Sequence, residues 1–512
     1  MSGMEYDVCA DAALAEGGMR AVEAGGRKIL LARVGGACHA VTATCPHAGG
    51  PLGEGVLHDG VVVCPWHKAA FRVATGERLD PPAVDNLLSF VTRVADSRIW
   101  VTVDDAPHQI DPVAACGSGY MVIVGAGAAG ALAAQTLREE GFADRVVLIG
   151  QEDRLPYDRT VLSKYALSGQ KGGEKSPLQD RAFYERHRIE RWAAEVKAID
   201  AEARTVVFVD GARLAYDAAL VATGGLPRPL KIAGANLPGV FLLRTAADAE
   251  AIVAAAGQAR RAVVIGAGFI GMEAAGSLRE RGLEVAVVAP QQAPFERQLG
   301  AEVGNASRRL HERQGVSFHL GEEVAAIEGD GRVQWVRLQS GAILPADLVV
   351  AGLGVAPATS ILGRLARRKD GGIDVDARLR VAEGLYAGGD IAAFPLRGDG
   401  EQVRVEHWRV AEQHGRVAAL NMLGRGVTYD AVPYFLTIHY RKRLDYVGHA
   451  AQWDEIVVDG DLDKPDFAAF YVRHGVVAAI AGLGRDHAMA QAVTLMAERR
   501  DWSVTALHQA LG

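Results

Sequence analysis

The sequence is poor in cysteine, in aromatics and in net charge, and each shortage removes a class of protein. Five cysteines in 512 residues are too few for the disulfide framework of a secreted chain of this size. The last is Cys116, so neither Cys-x-x-Cys nor Cys-x4-Cys lies downstream, which excludes a dithiol relay and a cysteine-sulfenate peroxidase. Basic residues number 55 against 62 acidic ones, and a net charge of -7 argues against a nucleic-acid partner. The opening Met1-Ser-Gly-Met-Glu-Tyr-Asp has no basic n-region and no apolar h-region, so no signal peptide is expected. Pro112 to Leu137 carries no charge and is long enough to span a bilayer. Its glycines and the strand-like Met121-Val-Ile-Val124 fit a soluble glycine-turn unit better, so the expectation is a cytoplasmic protein with no membrane partner.

Glycine, in contrast, is abundant: 60 residues, above the roughly 7% of an average chain. That excess suits backbones that approach phosphates, and it also accompanies high-GC coding. The length suggests three or four domains at ~150 residues each. Residues 1–103 show short apolar runs (Ile29-Leu-Leu31, Val61-Val-Val63, Ile99-Trp-Val-Thr-Val103) between turn residues, the pattern of a small all-β domain. Residues 104–118 read as a linker. A strand–glycine–helix–strand unit then occurs twice, starting at Met121-Val-Ile-Val-Gly125 and at Ala262-Val-Val-Ile-Gly266.

Four residues in the first domain carry metal-ligand spacing: Cys45-Pro-His47, sixteen residues, then Cys64-Pro-Trp-His67. Two thiolates and two imidazoles suit tetrahedral zinc, or a [2Fe–2S] cluster with both sulfurs on one iron and both imidazoles on the other. Gly49, Gly50, Gly53 and Gly55 let the first loop fold tightly. The text Cys45-Pro-His-Ala-Gly-Gly-Pro-Leu52 … Cys64-Pro-Trp-His67 … Phe71 … Thr75-Gly76 resembles the Rieske ferredoxin domain, in which those four residues ligate the cluster. Lys68 stands where that family usually has a small residue, and is expected on the exposed face beside the histidines.

The repeated unit carries two dinucleotide fingerprints. In Gly125-Ala-Gly127-Ala-Ala-Gly130, the first glycine permits the turn, the second admits a pyrophosphate and the third lets helix pack on strand. Glu152 is placed to bind a ribose diol. Gly266-Ala-Gly268-Phe-Ile-Gly271 is the second fingerprint; its following strand ends Val287-Val-Ala-Pro290-Gln-Gln292, without the acid expected for NAD and without an adjacent arginine for a 2′-phosphate. The choice between NADH and NADPH is open, with a lean to NADH. Leu220-Val-Ala-Thr223-Gly224-Gly225 and Gly352-Leu-Gly354 are strand-to-glycine turns, and Leu385-Tyr-Ala-Gly-Gly-Asp390 suits a flavin ribityl hydroxyl.

Here the chain resembles the pyridine-nucleotide-dependent flavoprotein reductases, in their ferredoxin-reductase and apoptosis-inducing-factor-like branch. The carrying text is Leu155-Pro-Tyr-Asp-Arg159-Thr-Val-Leu-Ser-Lys164, with Thr160 for the usual Pro, and Glu406-His-Trp408 followed by Ala411 and Gly415. The resemblance implies that Gly125, Gly127, Gly130, Glu152, Arg159, Lys164, Thr223, Gly224 and Asp390 serve FAD. It implies that Gly266, Gly268, Gly271 and Gly354 serve NAD(P)H. It pairs Glu273 with Lys164 beside flavin N5 and puts Trp408 near the flavin, giving Lys164, Glu273 and Trp408 catalytic roles. The expected architecture is multidomain: a Rieske sandwich (1–103), a linker (104–118), an FAD-binding domain in two parts (119–242 and 370–428) around an NAD(P)-binding domain (243–369), and an α+β C-terminal domain (429–512), the two nucleotide domains being Rossmann-like α/β. The implied function is electron transfer from NAD(P)H through FAD to the built-in cluster and on to an oxygenase or ferredoxin. An NADH-responsive redox-sensing interaction protein and a zinc-bearing docking module are the alternatives, and the oligomeric state is open.

Overall fold

The computed structural model describes residues 3–104, 113–170, 177–398, 400–498 and 500–511. The N-terminal part is antiparallel throughout. One six-stranded sheet runs in the order Met4–Ala10, Arg98–Val103, Ser89–Ala95, Ala37–Thr42, Arg27–Val34, Met19–Ala24. A four-stranded sheet, Val56–His58 to Arg78–Asp80, faces it, and Leu30, Val41, Leu52, Val62 and Phe71 fill the space between. Cys45 follows the strand Ala37–Thr42, and Cys64 begins the turn between Val61–Val63 and Ala70–Arg72, so both cysteines sit at one end of this sandwich. Part of the linker, residues 105–112, lies outside the described residues; beyond it the Cys116 amide donates to Gly141 O and fixes the chain to the next unit.

The two fingerprint units are parallel sheets. The first orders Ile189–Ala193, Arg145–Gly150, Tyr120–Val124, Ala218–Val221 and Leu385–Ala387, with Arg380–Ala382 added antiparallel at the edge. The second orders Val240–Leu242, Leu348–Ala351, Arg261–Ile265, Glu284–Ala289 and Val316–Leu320. Their central strands are near-continuous runs of Val, Ile, Leu and Ala because both faces are covered, one by helices and the other by a three-stranded antiparallel sheet (Val196–Asp200 to Arg213–Ala215 in the first unit, Val324–Glu328 to Ile343–Pro345 in the second). The uncharged stretch resolves into strand Tyr120–Val124 and the buried start of helix Ala128–Glu139. Among the described residues no helix is long and apolar enough to cross a membrane. The first sheet takes its fifth strand from beyond the second unit, so the second unit is an insertion within the first.

Two short strands, Gly225–Pro227 and Val355–Pro357, pair antiparallel where the chain leaves and re-enters that insertion. Helix Trp408–Met422 packs tightly on Ala128–Glu139 because both are lined by Gly and Ala. The last unit is a five-stranded antiparallel sheet (Tyr434–His439 to Val476–Leu483), followed by helices Asp486–Ala497 and Val504–Leu511. The helix pair sets a sharp limit at Gly415, where an added Cβ would lie 2.0 Å from Ala129 O. Backbone cannot give way as a side chain tip can, so Gly415→Ala is expected to cost about 2 kcal/mol, read as a lowered denaturant midpoint.

Candidate functional site

The two fingerprints fold alike, and the glycines divide the work in the same way. A Cβ on Gly125 would fall 2.1 Å from Ala222 O and one on Gly130 1.8 Å from Gly125 O. The counterparts Gly266 and Gly271 would meet Gly352 O at 2.4 Å and Gly266 O at 2.1 Å. Gly127 and Gly268 differ: nothing lies within 4 Å of their missing Cβ, and each stands at the start of a helix, Ala128–Glu139 or Phe269–Glu280. The outer glycines are therefore demanded by the fold, and the middle one leaves space open at a helix N-terminus, an end that favours negative charge. Gly354, at φ 80°, also borders open space.

Charged groups close the first cradle. Glu152 accepts from the Tyr157 hydroxyl at 2.9 Å and from Arg159 at 2.6 Å. Arg159 also donates to Arg244 O, and the Arg244 guanidinium reaches Asp390 at 3.2 Å, beside Gly224. Thr223 donates to Ala358 O. Asp158 accepts from the Thr160 amide at 2.7 Å, a bond that the usual proline could not make. The following turn, Leu162–Ala166, brings Lys164 Nζ 3.2 Å from Glu273 Oε1. Glu273 is buried, and the hydroxyls of Ser163 and Thr437 both donate to it. Trp408 opens its helix and is half-buried against the core of the first unit.

An aromatic wall adjoins this pair. Phe269, from the second fingerprint, stacks on Phe295 and meets Phe435 edge-on, and His407 stacks on Phe435 with ring centroids 4.0 Å apart. Burial pushes the His407 imidazole down to about 3, so it stays neutral. The acid missing from the second unit's strand end is met nearby by Glu296, whose carboxylate accepts from the Gln292 amide at 2.9 Å.

At the end of the sandwich the four ligand candidates converge as two pairs. The Cys45 and Cys64 thiols lie within hydrogen-bond reach of each other, a contact that lowers Cys64 and, together with burial, pushes Cys45 up. The amides of His47 and Ala48 point at the Cys45 sulfur, and those of Trp66 and His67 at the Cys64 sulfur. The imidazoles of His47 and His67 bring their Nδ1 atoms to 3.1 Å, and desolvation lowers both below the ordinary histidine range, the form that ligates metal. Gly50 leaves room for this: a Cβ there would lie 2.8 Å from Cys64 Sγ. Among the described residues no three such donors gather around one ion. A sulfur pair and a nitrogen pair suit two irons rather than a single zinc.

The expectation for Lys68 is overturned. It is fully buried, at φ 62°, and its ammonium lies 3.0 Å from Asp445 Oδ2 on the C-terminal sheet. The docking of the sandwich on the reductase units demands this burial. The reductase also grips the backbone of the turn that carries Cys64 and His67: Arg443 donates to Pro65 O, the Tyr434 hydroxyl to Trp66 O and Arg409 to Lys68 O. Arg409 and Gln413 further hold Asp80. This clamp was missed in the sequence. Its one local signal is the polar stripe of Arg409, Glu412 and Gln413 at helical spacing along an otherwise apolar helix.

Comparison with known proteins agrees with this geometry. The family described as pyridine nucleotide-disulphide oxidoreductase matches residues 119–415, the Rieske [2Fe-2S] domain 4–92, and the reductase C-terminal domain 434–510. Human apoptosis-inducing factor 3 is 37% identical over 97% of this chain and 84% of its own length. The chain belongs to the ferredoxin-reductase-type pyridine nucleotide oxidoreductases. It carries a Rieske [2Fe–2S] domain and is an NAD(P)H-acting FAD oxidoreductase. The ferredoxin–NAD(+) reductase component of the anthranilate 1,2-dioxygenase system of Burkholderia cepacia is 36% identical over 71% of this chain and 91% of its own. The structure of the covalent putidaredoxin reductase–putidaredoxin complex superposes with a TM-score of 0.73 at 30% identity, covering 76% of this chain and 95% of that one. This member lacks the thiol pair in its family's name, since all five cysteines are free and none lies beyond Cys116.

Two comparisons test the site. Gly127→Ala is expected to fold but lose FAD affinity, whereas Gly130→Ala is expected to lose both FAD and thermal stability; flavin absorbance and melting separate them. At the clamp, Asp445→Asn leaves the buried Lys68 without its ion-pair partner and Arg443 with only the half-exposed Asp486. It is expected to cost about 3–5 kcal/mol, more than Lys68→Met, in denaturant titration.

Proposed function

We propose that this protein passes electrons from NAD(P)H through FAD to its own cluster, held by Cys45, His47, Cys64 and His67, and then to an external one-electron acceptor. The flavin supplies the conversion of a two-electron donor to one-electron transfers. The observation that carries the reading is the clamp itself: Arg443, Tyr434 and Arg409 fix the turn bearing Cys64 and His67 against the reductase. The charge of Lys164 is felt at His67, and that of Asp158 at His47, so the ligand histidines border the segment that closes the flavin cradle. In this reading Gly125, Gly127 and Gly130 receive the FAD pyrophosphate, and Glu152, Arg159 and Asp390 orient its sugar and ribityl hydroxyls. Gly266, Gly268, Gly271 and Gly354 receive the nicotinamide nucleotide. Lys164, ion-paired with Glu273, stabilises negative charge on the reduced ring, and Trp408 borders it. Glu296 beside Gln292 disfavours a 2′-phosphate, which supports NADH over NADPH.

Fusion replaces a diffusing acceptor by one at an effective concentration of roughly millimolar. The putidaredoxin complex pairs a reductase with a separate protein, and the anthranilate relative is named as a component of a dioxygenase system. An oxygenase component or a ferredoxin is therefore the acceptor class proposed here. His47 lies at the surface and offers the point of exit. Anaerobic titration with NADH is expected to bleach the flavin and then raise the paramagnetic signal of a reduced [2Fe–2S] cluster. Full flavin reduction with the cluster left oxidised would overturn the relay.

A further inference from the structure

The oxidation of NAD(P)H releases two electrons and one proton, whereas a [2Fe–2S] cluster takes one electron at a time and no proton. Each nicotinamide oxidised therefore leaves one proton inside the protein that must reach solvent. This follows from the proposed one-electron relay, and the inference below rests on that reading.

Two buried histidines have no part in the site as described. His439 ends the strand Tyr434–His439, and His311 lies in the helix Glu296–Arg313; both are almost fully buried. They continue a row of polar groups that starts at the Lys164–Glu273 pair. Glu273 Oε1 accepts from the Thr437 hydroxyl at 2.7 Å, and Thr437 Oγ1 lies 3.0 Å from His439 Nε2. The His439 and His311 rings meet edge-on with centroids 5.0 Å apart. His311 Nδ1 lies 3.2 Å from the hydroxyl of Tyr440, which is half-buried at the tip of the hairpin, within reach of the charge of exposed Glu280.

The nitrogens left over are the telling ones. His439 Nδ1 and His311 Nε2 are both buried and both lack a hydrogen-bond partner. An orphaned polar atom in an interior is destabilising, and here two of them sit on neighbouring rings. Phe295 and Phe318 pack on these rings, so burial keeps both imidazoles neutral. Neutral imidazole suits a relay because it takes a proton at one nitrogen and releases one from the other.

We propose that Thr437, His439, His311 and Tyr440 form a proton path between the Lys164–Glu273 pair and the surface, with the handover between the two imidazoles at their free nitrogens. These are relay residues, joined to the Lys164–Glu273 pair through the Thr437 hydroxyl. The path carries the one proton left by each nicotinamide, so that charge does not build up beside the flavin as electrons depart.

The test uses the full FAD- and cluster-loaded protein, reduced with one equivalent of NADH and mixed with ferricyanide, a one-electron oxidant, in weak buffer with a pH-indicator dye. His439→Gln and His311→Gln are made separately, so that if one fails to load FAD the other still decides. Each is expected to slow proton release and the accompanying flavin reoxidation about tenfold or more, with a larger solvent deuterium isotope effect. Flavin reduction by NADH and the flavin midpoint potential are expected to match the unaltered protein. The path is overturned if proton release keeps its original rate in the variants. It is equally overturned if the slowing comes with a shifted potential or slower reduction by NADH, which marks general damage. Ferricyanide takes electrons from the flavin directly, so failure of the cluster to become reduced would sink the proposed relay in a separate measurement and leave this one readable.

Discussion

A buried ammonium and a buried carboxylate, Lys68 on Asp445, hold the first domain to the last. Neither charge is left to pay for its burial alone. Asp445 also accepts from Arg443, the one Tyr434 hydroxyl proton is shared between Asp445 Oδ1 at 2.8 Å and Trp66 O at 3.2 Å, and the Lys68 ammonium donates to Pro65 O. A lone ion pair at such a depth contributes little net stability, because desolvation offsets the attraction. What it contributes here is placement. Every donor in the network ends on a carbonyl of the turn that carries Cys64 and His67, so a shift of the domain breaks several charge-assisted bonds at once. The geometry of the proposed electron path thus depends on these polar contacts, beside a small apolar cluster of Val63, Ala70 and Ala490 across the same junction.

The legible parts of the sequence are those whose chemistry is local. Gly125 and Gly130 are forced by backbone atoms within a few residues or on the adjoining strand, and a strand–turn–helix pattern announces them. The Cys and His spacing likewise folds onto itself within one loop pair, and Gly50 shows why the intervening residues must be small. Uncharged residues 112–137 were separable from a membrane span because glycine punctuates them.

The illegible parts are tertiary. Lys68 reads as a surface residue because its partner is 377 positions away, and nothing in the intervening chain marks Asp445 as buried. Tyr434 and Thr437 read as ordinary members of an apolar strand, yet one bonds a ligand-loop carbonyl and the other bonds Glu273. His311 and His439 lie in different units and become neighbours only when the C-terminal sheet closes over the nucleotide domain. Glu296 shows the same effect at shorter range: an acid missing from the strand end returns through the next helix.

Chain order adds a consequence for biogenesis. The Rieske domain is made before the reductase units, whereas the groups that grip the turn carrying Cys64 and His67, namely Arg409, Tyr434, Arg443 and Asp445, are all made after the second fingerprint unit. The flavin domain, too, stays unfinished until the strand Leu385–Ala387 arrives. Domains fold as they emerge. The nascent sandwich therefore completes the turn bearing Cys64 and His67 before the residues that brace its carbonyls exist, so that turn must hold its shape on the sandwich core alone until the C-terminal sheet docks.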